Sequence, residues 1–236
     1  MTVEPHHIAD TRSMGIVHSA LRRDLRRSRI VLETPPELTG RRRRALADHL
    51  QWMIGFLHNH HSGEDRGLWP LIRSKNPSAA ELLDQMEADH QRIAQALEVL
   101  QDAATRYRTQ DADRCELLAA LSTVETELLP HLEREEREML PIVARTITTA
   151  EYRAVEDEYF VKHKGFVELG LEGHWVIDGV SLEDRSVMLS VVPPIPRWIL
   201  LNGFARRYRR RRDLLWGNGP AADVRSISLS RVEGGS

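Results

Sequence analysis

Two stretches of this chain copy one another at an offset of 71 positions, and that copying constrains the fold more than any other feature. Leu46, Leu50, Met53, Leu57, His60 and Glu64 answer to Leu117, Leu121, Val124, Leu128, His131 and Glu135. Spacings of three and four put each set on one face of a helix. Each face is apolar and then ends in a His and a Glu four apart. The likeness runs on, with Trp69-Pro70-Leu71-Ile72 opposite Leu140-Pro141-Ile142-Val143. A second pair repeats at an offset of 72: Met14, His18, Leu21 and Leu25 answer to Met86, His90, Ile93 and Leu97. Here a lone His sits on the apolar face. The order helix A, helix B, A-like helix C, B-like helix D is a doubled helical hairpin. The expected fold is all-α, an up-down four-helix bundle over residues 9–146 with four His and two Glu facing inward.

The predicted boundaries follow local chemistry. Helix A covers about 9–31 and is stopped by Pro35-Pro36. Thr39 can cap helix B, whose first turns carry Arg41 to Arg44, read as outward solvation or a docking patch. Gly63 and Gly67 are poor helix formers near its end, and Pro70 kinks or stops it. Helix C covers about 79–107 and helix D about 114–142, with Pro130 expected to bend D beside His131. Residues 149–217 form a helical extension with a short helix over 151–161, a second start at Ser181 and a rigid break at Pro193-Pro194-Ile195-Pro196. A single amphipathic helix over 197–216 is expected next, and residues 218–236, rich in Ser and Gly, are expected to be disordered.

Composition narrows the setting. A chain of 236 residues is long enough for one sizeable core and an appendage. With Cys115 as its only cysteine it has no disulfide framework. The N-terminus lacks a basic region followed by an apolar run, and the apolar tract around Ile199 to Leu201 is too short and too interrupted by Arg to span a bilayer. The expectation is a cytoplasmic protein. Nothing in the sequence sets an oligomeric state.

A His and a Glu four apart on a helix lie one above the other, about 6 Å along the axis. The imidazole can then hold one metal ion while the carboxylate bridges to a second. His18, His60, Glu64, His90, His131 and Glu135 are the candidate ligands. Taken singly, each has a blander reading. A lone inward His is more often a satisfied core residue, and one His-x-x-x-Glu is a common exposed ion pair. The repeat changes the balance, because four buried imidazoles and two buried carboxylates would be severely destabilising without compensation. A carboxylate-bridged pair of ions in a four-helix bundle favours iron or manganese. Six donors under-supply two octahedral ions, which leaves positions for water or an incoming small molecule. His58 and His61 share the turn with His60 and are expected behind the ligands; an alternative register pairs His61 with Asp65 but breaks the match to helix D. His6, His7 and His49 are read as solvent-facing, Glu127, Glu133, Glu136 and Glu138 as a solvated acidic face, and Trp52 and Tyr107 as packing residues.

This set resembles the hemerythrin-like, His-His-Glu cation-binding domains over about residues 10–146. The likeness rests on His18, on His60 and Glu64 inside "HNHHSGE", on His90 in "DHQRI" and on His131 and Glu135 in "HLEREE". The resemblance implies a non-haem centre of two iron ions, oxo- or hydroxo-bridged, that binds dioxygen, peroxide or nitric oxide. By family, His18, His60, His90 and His131 are terminal ligands, and Glu64 and Glu135 bridge. Oxygen-carrying members have two histidines on the third helix and an aspartate on the fourth. Here position 94 is Ala94 and the carboxylate is Glu135, so one iron is expected to have fewer protein ligands. That points away from reversible oxygen carriage. It points towards binding or reduction of a small oxidant, with peroxide disproportionation as the enzymatic form. A redox, oxygen or nitric oxide sensor and an iron store or donor are the alternatives, and the residues alone leave turnover open. The C-terminal part also resembles, weakly, the tail of longer actinobacterial proteins with this domain.

Between Arg197 and Arg212 lie seven arginines and no acid. Arg206, Arg207, Arg209, Arg210, Arg211 and Arg212 could touch an anionic surface, a membrane periphery or nucleic acid. The other reading lays this helix on the bundle through Trp198, Ile199 and Phe204, with its arginines paired to acidic helix D. A formal net charge of -2 for the whole chain favours the second. No nucleic-acid recognition signature is present in the sequence.

Overall fold

The structure, a computed structural model, describes residues 8–190, 192 and 194–226. Helix α1 is Arg12–Glu33 and α2 is Gly40–Gly63. A π turn, Glu64–Leu68, carries α2 directly into α3, Trp69–Lys75. Helix α4 is Ala80–Thr109. Helix α5, Arg114–Arg134, passes through a second π turn, Glu135–Met139, into α6, Leu140–Thr146. These are the four long helical units the repeat predicts. Among the described residues the only extended pairing is an isolated bridge between Ile8 and Thr148.

The two π turns begin at equivalent residues, the Glu of each repeated pair. In each, an N–H bonds the carbonyl five residues back, from Trp69 to Glu64 and from Leu140 to Glu135. Pro70 and Pro141 follow immediately, at the start of the next helix. A proline has no N–H to give and its ring crowds the preceding turn, so a locally widened helix accommodates it. Pro130, by contrast, sits inside α5 without ending it. The irregularity expected beside His131 falls instead at Glu135.

The apolar interior forms two clusters. The larger joins residues such as Leu21, Leu50, Leu57, Ile93 and Leu128. The smaller joins Met14, Leu68, Trp69, Met86 and Met139. On each of the four helices the inward His or Glu lies between a residue of one cluster and a residue of the other. The polar residues therefore form one layer across the bundle, walled by hydrocarbon on both sides.

The extension wraps the α1 and α2 side of the bundle. Helix α7, Thr149–Glu156, starts with a capping box in which Thr148 and Glu151 satisfy each other's backbone N–H groups. It passes through a third π turn, Asp157–Val161. Helices α8, Phe166–Val176, and α9, Leu182–Ser190, follow, with Ser181 capping α9. The predicted single helix over 197–216 is two: α10, Pro194–Gly203, and α11, Ala205–Trp216. Gly203, a weak helix former, closes the first. A short α12, Pro220–Asp223, lies within the segment expected to be disordered, and residues 227–236, like His6 and His7, lie outside the described residues.

The glycines near the end of helix B have a packing reason. A Cβ on Gly63 would collide with the Phe160 ring, and one on Gly67 with the Tyr159 ring at 2.5 Å. They let the third π turn press its two aromatic rings against the bundle beside the polar layer.

The anchors of the extension differ from those expected. Trp198 is 68% exposed, while Leu215 and Trp216 are buried against the bundle. The arginines do not pair with helix α5. Arg211 lies over the Trp52 ring and bonds His49, and Arg212 reaches Asp178 and the Ala222 carbonyl. Arg206, Arg207, Arg209 and Arg210 are exposed. The Arg41 to Arg44 run is also partly internal to the fold. Arg42 donates to the Leu214 and Leu215 carbonyls, where α11 ends, and Arg43 lies 3.9 Å over the Tyr107 ring. Carbonyls at a helix end lack intrahelical donors, and these guanidinium groups supply them.

Candidate metal centre

All six candidate residues meet in the polar layer. His18, Glu64 and Glu135 are fully buried, and His60, His90 and His131 nearly so. The Glu64 carboxylate spans two imidazoles: one oxygen is 3.2 Å from His60 Nε2 and the other 3.5 Å from His90 Nε2. Glu135 lies between the other two, 3.4 Å from His18 Nε2 and 3.7 Å from His131 Nε2. His18 Nε2 and His60 Nε2 are 3.2 Å apart. The pairing is crossed. Each carboxylate serves the His of its own helix and the His of the other half's A-type helix, as a doubled hairpin requires.

His61 belongs to this cluster rather than behind it. It is buried, its ring stacks on His90 at 4.2 Å, and its ring centroid is 5.3 Å from that of His131. His61, His90 and His131 offer ring nitrogens within 4.8 Å of one another, and His18, His60 and Glu64 form a second such group. Adjacent residues on a helix point about 100° apart, which separates them if all donors converge on one point. Here there are two groups side by side, and α2 straddles them, so His60 enters one and His61 the other. Helix α2 thus brings a fifth imidazole to the layer, one more than the four expected. In the repeat, His61 answers to Leu132, so the two halves differ at this position. His58 is exposed and does not reach the layer.

Acidic side chains hold the outer nitrogens of two of the imidazoles. Glu136 is 2.9 Å from His18 Nδ1, and Asp65 is 2.7 Å from His90 Nδ1. Asp89, fixed by Arg134 at 2.6 Å, lies 3.5 Å from His131 Nδ1. An Nδ1 proton given to a carboxylate leaves Nε2 as a lone pair aimed inward, the arrangement found behind metal-bound histidines. Glu136, expected on a solvated face, is instead partly buried, and Arg22 holds it at 2.6 Å. Gln85 is exposed and Glu87 pairs with Arg73, so neither enters the layer. The sequence carried a signal for two of these acids: Asp65 and Glu136 are themselves 71 apart, each following a bridging candidate.

Burial dominates the electrostatics. It holds His18, His60 and His61 well below the ordinary imidazole range, so they are neutral, the form that binds metal. His131 is lowered by burial, in part opposed by Asp89. Burial raises Glu64 and Glu135, Glu64 further by its proximity to Glu135 and Glu135 by Glu136. Glu64 Oε1 and Oε2, Glu135 Oε1 and Oε2, and the Nε2 atoms of His61, His90 and His131 are all buried without a hydrogen-bond partner in the protein. Interiors rarely leave such atoms unsatisfied, and each would be costly. Divalent cations satisfy carboxylate oxygens and imidazole lone pairs together. The donor set fits that role.

The fold and this layer define a helical-bundle, cation-binding domain. The hemerythrin HHE cation-binding domain model matches residues 13–143, and the chain belongs to that family. It is a metal-binding protein. No curated protein and no solved structure matches the chain. Among the described residues no helix is long and apolar enough to cross a membrane.

The acid behind His90 is open to a direct check. Asp65→Asn keeps the shape but weakens the pull on Nδ1–H. We expect metal affinity to fall about 10–100-fold, read by competition with a chelator, with the fold unchanged by circular dichroism. An unaltered affinity would remove Asp65 from the site.

Proposed function

We propose that the polar layer holds two iron ions and that the protein binds or reduces a small oxidant there, such as dioxygen, peroxide or nitric oxide. The observation carrying this reading is the set of partnerless Nε2 and carboxylate atoms gathered between two apolar clusters. In this reading His18 and His60 hold one ion, His61, His90 and His131 the other, and Glu64 and Glu135 are shared. Nitrogen and oxygen donors in a helical bundle suit iron. Bound iron would supply the electrons for reducing the oxidant. The protein's part is to keep the imidazoles neutral, to aim them through Glu136, Asp65 and Asp89, and to exclude bulk water. With two imidazoles against three, the His18 and His60 side has the more open position for a small ligand. Peroxide disproportionation is the turnover we would assay.

A second reading is a sensor. It is favoured by one contact: the His60 ring lies between Phe56, at 6.0 Å, and Phe160 of the extension, at 5.8 Å. A change at His60 would reach the extension through these rings. Iron storage or donation is the third reading, and facile loss to a chelator would favour it.

The test is metal content with an optical spectrum, then oxygen evolution from peroxide. We expect about two iron ions per chain, falling to about one in His61→Ala, because that variant thins only one donor group. An iron content of zero after anaerobic loading of the folded protein would defeat the proposal. Sustained oxygen release supports the enzyme. Protease protection of residues 149–226 that depends on nitric oxide or dioxygen, without turnover, supports the sensor.

A further inference from the structure

A cavity of about 580 Å³ lies between the bundle and the extension. Its walls are hydrocarbon, with Val17 and Phe56 on the bundle side and Leu169, Val176, Met188 and Leu201 on the other. Packed elements leave few gaps larger than a water molecule, and this partly open space is far larger. Its size is in the range of small-molecule sites, far above what dioxygen or peroxide needs. The polar groups at its edge are already partnered or balanced. Lys164 is paired with Glu172, and Glu156 accepts a hydrogen bond of 2.6 Å from Ser13 Oγ. Arg153 and Asp157, of opposite sign, are both exposed to solvent. Among the described residues no cluster of cations faces the apolar wall. His60, whose ring is flanked by Phe56 and Phe160, also lines the cavity.

We propose that this cavity is a binding site for a neutral, mainly hydrocarbon small molecule, which packs between α1, α2 and α8 and touches His60. An apolar chamber of this volume offers dispersion contacts and little to hold water, so an apolar guest is favoured over a filled aqueous pocket. Lys164, the lysine in the wall, is already paired with Glu172, and Arg153 lies out in solvent, which favours alcohols, hydrocarbons or quinone-like rings over fatty-acid carboxylates. Binding itself does not depend on the proposed iron. Only the spectral consequence does, because the guest would lie against one of the residues assigned to hold it.

The neutral dye Nile red is the probe, titrated into the full chain as purified and after iron loading. We expect saturable enhancement of its fluorescence at one dye per chain. Leu169→Trp and Leu201→Trp, which fill the chamber from two helices, should each weaken binding about tenfold or more, whereas exposed Val99→Trp should not. In the unaltered protein, dodecanol should displace the dye more effectively than dodecanoate. No saturable binding by the unaltered protein would overturn the proposal, as would equal binding in both filled variants. Stronger displacement by dodecanoate would overturn the neutral class. A shift of the iron optical spectrum on adding dodecanol would place the guest beside His60. A spectrum unmoved by a bound guest would remove the His60 contact and leave the iron reading intact. Loss of iron with dye binding retained would sink the metal proposal alone.

Discussion

Replacing Glu64 by leucine is expected to shift the stability of the metal-free and metal-loaded protein in opposite directions. Without metal, Glu64 is a fully buried carboxyl whose oxygens have no partner, held close to a second buried carboxyl, Glu135. Leucine fills a similar volume and removes both penalties. Exchanges of buried ionisable groups for apolar ones of like size are often neutral or stabilising by about 1–4 kcal/mol. With metal, the same change deletes the carboxylate that reaches both His60 and His90. A ligand present at a thousandfold excess over its Kd stabilises the native state by about 4 kcal/mol, and the variant should forfeit most of this. Calorimetric melting with and without ferrous iron reads both signs. If the metal-free variant melts well below the parent while the iron-dependent gain persists, Glu64 is a structural residue and not a shared ligand.

Replacing Asp24 by alanine should cost about 3–5 kcal/mol and loosen the extension from the bundle. Asp24 is buried on α1 and accepts from Arg23 Nε at 2.7 Å, Arg27 Nη1 at 3.2 Å, His49 Nε2 at 2.9 Å and Trp175 Nε1 at 2.9 Å. Arg27 continues to Asp178 at 2.6 Å and to the Val224 carbonyl at 2.8 Å. Without the carboxylate, two buried guanidinium groups lose their central counter-charge. Loss of the Trp175 bond should redden the tryptophan emission, and proteolysis of residues 149–226 should quicken. An unchanged melting temperature would show that Asp178 alone suffices for the arginines.

The same residue predicts an acid transition. Burial by itself would raise the Asp24 carboxyl, but the charges of Arg23 and Arg27 and the His49 hydrogen bond outweigh it and hold it far below the usual carboxylate range. The native value is thus below the unfolded one, about 3.9. Its stabilisation is fully present above the unfolded value and is lost as pH falls below it, because only the unfolded chain then takes up the proton. Asp24→Asn should flatten the dependence of unfolding free energy on pH below about 4.

Several features were legible in the chain because helical periodicity and internal repetition are local. The six polar positions shared faces with apolar residues at helical spacing, and the repeat excluded chance. Asp65 and Glu136 were written in that same repeat. Spacing alone does not give His61, since a single helix face cannot show that α2 serves two groups of donors. Spacing alone places His49 towards solvent, whereas it is buried, because the element covering it, α11, is 162 positions away at Arg211. For the same reason spacing places Arg42 and Arg43 outward, although Arg43 donates to the Tyr107 and Ala112 carbonyls. Their partners are carbonyls at helix ends and in a loop that only folding brings near.

By itself the sequence determined a doubled helical hairpin and the level along each helix at which its polar residues fall, because both depend on intervals of three and four. The tertiary structure decided which side chains share a group of donors, which acids stand behind them, and what closes the bundle's α1 and α2 side. Those depend on how helices lie against one another. A side chain's direction is known from its own helix, but its neighbours are known only once distant elements have packed.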